Sequence, residues 1–260
     1  MSEPKAPVTL ASDPWSALRL ATTARIGLGR QGDAMPLRSV LEFQAAHAKA
    51  RDAVHAPLDV EALEAALAPH RVIRLASEAG DRATYLRRPD LGRRLAPESR
   101  PALAEVGTCF DIAFVIADGL SATAVEHHAA PLLQASIRRF GDLAVAPVVV
   151  ATQARVALGD DVGEMLGARL VAVLIGERPG LSVAESLGVY LTYEPRRGRR
   201  DSERNCISNV HGLGGLTYEQ AAGKLAWLVR EALKRGLTGV ELKEDEGSAV
   251  TAEPEAPRLG

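Results

Sequence analysis

The chain has 260 residues, 47% of them hydrophobic and 25% charged, with a formal net charge of −2. That length can bury a full core in one medium domain with an extra lobe or in two small ones, and the composition excludes global disorder. A near-neutral balance argues against a general polyanion binder such as a nucleic-acid protein.

In chain order, residues 1–13 are polar and proline-containing and read as a disordered N-terminus. Ser12-Asp13-Pro14 then looks like a helix start, with WSALRLATTARIG as the helix and Gly27 and Gly29 as its stop. Pro36 opens a longer helix through Leu41, Phe43, Ala46 and Ala50, ending near His55-Ala56-Pro57. Leu58-Asp59 begins another, with Val60, Leu63, Ala66 and Leu67 on one face, and Val72–Leu75 is a short candidate strand. Residues 14–100 are therefore expected to form a helical N-terminal lobe. The paired arginines at 87–88, 93–94, 196–197 and 199–200 read as solvated loops and helix ends, because no aromatic residues are interleaved to stack on bases.

From about residue 107 strands and helices alternate. Three short apolar runs, Ile112–Ala117, Pro147–Ala151 and Leu170–Ile175, are almost unbroken by polar residues, as strands buried on both faces of a parallel sheet should be. Helices are expected at 121–141, near Asp161–Leu166, near Ser182–Leu187 and at Tyr218–Lys234, with a further strand at Val189–Tyr193. The fold class is thus α/β: a Rossmann-like, mostly parallel sheet with flanking helices over residues 101–242, preceded by the helical lobe. Residues 243–260 read as a disordered acidic tail.

Ligands in open α/β sheets bind outside the carboxyl ends of the strands. Those ends here run into Asp118-Gly119-Leu120-Ser121, Arg155-Val156 and Gly176-Glu177-Arg178-Pro179-Gly180. Ser121 reads as the N-cap of the following helix. Glu177, placed straight after a buried strand, can accept hydrogen bonds from amide, hydroxyl or amine donors, or else make a salt bridge with Arg178. Asp201–Leu216, dense in polar and glycine residues, reads as a long ordered loop carrying Cys206, either a packed thiol or a nucleophile.

Several chemistries are missing. There is no GxGxxG after a strand, no GxxxxGK[ST] and no GxSxG elbow. His127-His128 are adjacent on a helix and point about 100° apart, so they do not converge on a metal. Cys109 and Cys206 form no CxxC or Cys/His cluster, which favours a reducing compartment over a disulfide scaffold or structural zinc. MSEPKAPVTLASDPW lacks the apolar core of a secretory signal, and no stretch approaches the ~18 apolar residues of a membrane span. A cytoplasmic protein is expected, with no membrane and no nucleic-acid partner.

Seven blocks carry a family resemblance: ARIGLGRQG (24–32), FQAAHAKARDAVH (43–55), YLRRPDLGRRL (85–95), DIAFVIADGLSA (111–122), QARVALGDDVGE (153–164), LIGERPGLSVAESLGVYLTYEPR (174–196) and DSERNCISNVHGLGG (201–215). Together they resemble the small (light) subunit of ethanolamine ammonia-lyase, and the pairing of IGERPGLS with RNCISN is its most specific part. The resemblance implies a hetero-oligomer in which a TIM-barrel large subunit holds the substrate and this chain covers part of adenosylcobalamin at the interface. It implies cofactor contacts at Val156, Glu177 and Cys206, no catalytic residue and no metal ligand on this chain, and an enzyme either free in the cytoplasm or enclosed in a bacterial microcompartment.

Asn209-Val210-His211-Gly212-Leu213-Gly214 approaches the Asp-x-His-x-x-Gly pattern by which base-off corrinoid mutases ligate cobalt, with Asn in place of Asp. It comes late in the chain, and the resembled family keeps the cofactor's own benzimidazole on cobalt, so His211 reads as a loop residue. The alternative function is a stand-alone α/β enzyme using Glu177 as base and Cys206 as nucleophile in the strand-end crevice.

Overall fold

The three apolar runs become the centre of a six-stranded sheet in the computed structural model, which describes residues 13–243. The elements in chain order are α1 (Ser16–Ala21), α2 (Leu37–His55), α3 (Val60–Ala66), β1 (Val72–Ala76), α4 (Arg82–Arg87), α5 (Arg100–Ala104), β2 (Ile112–Ala117), α6 (Ala122–Ile137), β3 (Val148–Thr152), α7 (Leu158–Met165), β4 (Leu170–Gly176), β5 (Leu187–Tyr193), β6 (Arg204–Val210) and α8 (Tyr218–Arg235). The sheet order is β1-β3-β2-β4-β5-β6. Strands β1 to β4 pair in parallel, and β5 and β6 join antiparallel.

Every residue of β2 and β4 is buried, because helices cover both faces. Phe114 and Ile116 of β2 pack with Val125, Leu132 and Leu133 of α6 and with Leu225 and Val229 of α8. Val115 of β2 and Val173 of β4 pack on the opposite face with Leu158 and Val162 of α7 and Leu103 of α5. A strand enclosed on both sides needs no polar alternation, which is why these runs read so plainly in the sequence. Side-chain oxygens of Asp59, Asp81, Ser121 and Thr217 start α3, α4, α6 and α8, each accepting a free N–H of the first turn. The N-cap reading of Ser121 holds, with Ala124 N–H at 3.3 Å.

The chain leaves β2 through α6 to reach β3, then returns through α7 on the other face, past β2, to β4. These two connections diverge between β2 and β4, so a crevice opens at their carboxyl ends. Two glycines let the backbones meet at its floor. Gly119 has φ +57°, and a Cβ there would lie 2.3 Å from the carbonyl of Gly176; a Cβ on Gly176 would lie 2.1 Å from the carbonyl of Ser121.

Three expectations are corrected. The first helix stops at Ala21 rather than Gly27: β-branched Thr22 and Thr23 follow, Thr22 Oγ1 takes the N–H of Ala24, and no residue of α1 is buried to hold a longer helix. Ser182–Leu187 is not helical. Gly180 N–H bonds to Val183 O, Glu177 N–H bonds to Ser186 O, and Leu187 already opens β5 opposite Gly176. Asp201–Leu216 is not one long loop, since Arg204–Val210 is the edge strand β6. Its inward residues Arg204, Ile207 and Val210 are buried, and a register shift against Leu187 and Val189 of β5 breaks the alternation.

The segment before residue 101 contributes the sheet edge β1 as well as helices. The expectation of disorder at 1–13 and 243–260 lies outside the described residues, save for Asp13 and Lys243. Among the described residues, no helix is long and apolar enough to cross a membrane.

Candidate functional site

The crevice at the ends of β2 and β4 is a cleft of about 610 Å³, within the usual range for ligand sites. Val156 and Glu177 both line it, together with Tyr85, Arg155, Tyr190 and Ser208. Cys206 does not. It lies beside the cleft on β6, in a groove shared with Leu216 and Leu228, and faces Tyr190 across the β5–β6 pairing.

Glu177 leaves β4 half-buried, and among the described residues it makes no ion pair with Arg178. Its Oε2 accepts from the Ser186 hydroxyl at 2.5 Å and from Asn209 N–H at 3.3 Å, while its Oε1 accepts from the Ser208 hydroxyl at 2.5 Å. A carboxylate offers about four acceptor positions, so Oε1 retains one for a ligand donor. The three bonds fix the rotamer by tying the β4–β5 loop to β6. A Cβ on Gly188 would come within 3.0 Å of Oε1, so glycine there leaves the carboxylate its space.

Val156 sits in the turn that starts α7. Its carbonyl accepts Gly159 N–H at 3.0 Å. Its own N–H, and that of Ala157, find no acceptor among the described residues. Free amides at the start of a helix are donors for an anionic or carbonyl-bearing ligand.

Cys206 is an exposed residue opposite Tyr190 in the β5–β6 pairing. Desolvation around the sulfur pushes the thiol above its ordinary range; the Glu177 carboxylate adds to this and the Tyr190 hydroxyl opposes it. Tyr190 is pushed up for the same reasons, burial first and then Cys206. A thiol held protonated is a poor nucleophile. His211, read from the sequence as a loop residue, uses Nδ1 to accept Leu213 N–H at 3.1 Å. His127 and His128 separate as expected: the first meets Glu185 and the second the Tyr218 hydroxyl, each at 2.9 Å. Among the described residues no group of three His, Cys, Asp or Glu could hold a metal ion.

Sequence reasoning did not single out the aromatic–guanidinium stack at the cleft's other wall. Arg82 and Arg155 lie 4.8 Å and 4.7 Å from the centre of the buried Tyr85 ring, whose hydroxyl bonds to Ala154 O at 3.3 Å. Burial pushes Tyr85 up to about 12, Asp118 adding to this and Arg155 opposing it. Asp118, at the end of β2, latches the loop by accepting Gln153 N–H at 2.8 Å and Ala154 N–H at 3.0 Å, with Arg82 at 3.6 Å. Burial pushes its carboxyl up against those bonds. The only sequence signal was the presence of Tyr85 and Arg155 inside two of the family-like blocks; they are 70 residues apart.

Comparison with known proteins gives one family. Residues 12–243 match the family model described as ethanolamine ammonia-lyase light chain (EutC). The chain is 53% identical to the ethanolamine ammonia-lyase small subunit of Ralstonia nicotianae, over 92% of this chain and 91% of that one. It is 50% identical to the protein of that name from Xanthomonas campestris pv. campestris, over 97% of both chains. It is 52% identical to that from Azotobacter vinelandii, over 90% and 89%.

Proposed function

The chain belongs to the ethanolamine ammonia-lyase light-chain family, and from that premise we propose that it helps bind adenosylcobalamin where it meets the large subunit of the enzyme. The assembled hetero-oligomer would convert ethanolamine to acetaldehyde and ammonia, with the substrate held by a TIM-barrel large subunit. The cofactor, when bound, supplies radical chemistry through homolysis of its cobalt–carbon bond. This chain supplies no catalytic residue. It binds and orients.

The observation that carries the reading is a cleft with open hydrogen-bonding capacity on two sides. Glu177 Oε1 has an acceptor position left, while Val156 N–H and Ala157 N–H are unspent donors. The buried Nε of Arg155 also lacks an acceptor. A corrinoid fits this donor set, because its rim carries amide groups that both donate and accept. Glu177 would take amide N–H or nucleotide hydroxyl groups, the Val156 main chain would face carbonyl or phosphate oxygen, and Cys206 would contribute through its strand or its thiol beside Tyr190. A cleft of about 610 Å³ is smaller than a corrinoid with its nucleotide loop, so the rest of the cofactor falls to the partner subunit. Cofactor contact is assigned to the 101–242 domain, with Tyr85 reaching in from the preceding lobe. A cytoplasmic location, free or within a microcompartment, goes with this reading.

The test is co-purification with a candidate large subunit, followed by an ethanolamine deamination assay. Turnover that requires both chains and adenosylcobalamin is expected. Turnover by this chain alone, or no association with the large subunit, overturns the reading.

A further inference from the structure

Arg155 is a cleft-wall guanidinium that is held in place by an aromatic ring and yet meets no carboxylate among the described residues. Its backbone N–H is fixed to Gly92 O at 2.8 Å, its side chain stacks on Tyr85, and its Nη2 reaches the Tyr85 carbonyl at 3.4 Å. No carboxylate pairs with it among the described residues, and its buried Nε has no acceptor. Arg82, which stacks on the same ring, also has a buried Nη2 without an acceptor, but its charge is answered: it bonds to Val54 O and Gly119 O and lies 3.6 Å from the Asp118 carboxylate. Arg93 and Arg178 bring more positive charge to the cleft, and Asp201, 3.8 Å from Arg93, offsets only part of it. Next to Arg155 stand the two open amides of Val156 and Ala157 at the start of α7.

We propose that Arg155 is the anion-recognising residue of this cleft and that it takes the phosphodiester of the cofactor's nucleotide loop, with the Val156 and Ala157 amides as its backbone donors. The proposal rests on the cobalamin reading above and deepens it. A planar guanidinium presents paired N–H donors that match two phosphate oxygens. Stacking on Tyr85 fixes the plane of that fork before any ligand arrives, so little freedom is lost on binding. Amide groups of the corrin rim are neutral and have no need of an unpaired cation. The phosphodiester is the anionic group at the cofactor's periphery. Gly92 belongs to the same device, since a Cβ there would lie 3.0 Å from the Tyr85 ring, tight enough to shift it by a few tenths of an ångström.

The experiment compares two corrinoids in the complex of this chain with its large subunit. Adenosylcobalamin and adenosylcobinamide, which is cut before the nucleotide loop and has no phosphodiester, are titrated by visible absorption. In the wild type the full cofactor binds more tightly. Arg155→Gln is expected to weaken adenosylcobalamin about 10- to 100-fold, the loss of a charge-assisted pair of bonds. It should leave adenosylcobinamide within about threefold, and Arg155→Lys, with the charge but not the fork, should fall between. The ratio of the two affinities cancels any general loss of folded protein, and the Lys variant reads it if the Gln variant does not fold. A ratio unchanged from wild type in these variants overturns the assignment. If Glu177→Ala weakens both corrinoids while that ratio stays unchanged, Arg155 alone is wrongly assigned; a wild-type complex that binds neither overturns the cobalamin reading itself.

Discussion

Two arginines on either side of α7 show how the same residue type serves opposite ends. Arg204 of β6 is 2% exposed and meets Asp160, 3% exposed, through two bonds of 2.7 and 2.6 Å; Thr192 Oγ1 and Arg199 O take the remaining Nη donors. Burial pushes Asp160 up, and the guanidinium holds it in the opposite direction. The next residue, Asp161, binds Arg197 and Leu95 N–H, so α7 pins both the β5–β6 connection and the 91–95 turn. Arg155, one loop away, is stacked and unpaired. A buried charge that the protein itself neutralises is scaffold; a fixed charge left unneutralised beside a cleft is there for something that arrives later.

That contrast can be broken from either side. The largest effect is expected at the scaffold: Asp160→Ala leaves the buried Arg204 with only the exposed Asp201 carboxylate, 3.7 Å from its Nε, and should cost about 3–5 kcal/mol in urea denaturation. The variant protein that stays folded should keep its corrinoid affinity. A denaturation midpoint equal to wild type would mean that Arg204 finds another partner and that the two sites do not differ in kind.

A smaller effect is expected at the seam between α6 and α8. Desolvation, and then the charge of His127, lower His128 below its usual 6.5, against Glu185. A histidine depressed in the folded state contributes stability that is present above the unfolded value and is lost as pH falls through the folded one. Thermal stability should therefore decline as pH is lowered from about 7.5 to about 5.5. His128→Gln, which can still bond the Tyr218 hydroxyl, should flatten part of that slope. An unchanged slope would remove His128 from the account.

The smallest effect is at Cys206. Its alkylation by iodoacetamide, read by peptide mass, should be slow at neutral pH and rise with a midpoint above that of a free thiol, about 8.5. Rapid labelling near pH 7 would restore Cys206 as a candidate nucleophile.

What could be read in the sequence follows from locality. β2, β3 and β4 were legible because burial on both faces leaves unbroken apolar runs, and Glu177 was legible because it stands at the end of one of them. Ser121 announced α6 because capping involves residues only three apart. β6 was not legible: an edge strand with polar outward residues, a register shift and Asn209 at φ +61° looks like loop chemistry. The Tyr85–Arg155 stack and the Asp160–Arg204 pair join residues 70 and 44 apart. No local pattern encodes either, so their meaning appears only when the sheet brings α4, α7 and β6 together.

The most direct measurement is adenosylcobalamin binding by the complex of the large subunit with wild-type chain or with Glu177→Ala, alongside urea denaturation of each small subunit. The account predicts about a tenfold loss of affinity, the worth of one charged hydrogen bond, with assembly intact and cooperative unfolding retained, at a midpoint lowered by the loss of the bonds to Ser186, Ser208 and Asn209. Wild-type affinity in an intact Glu177→Ala complex would contradict it.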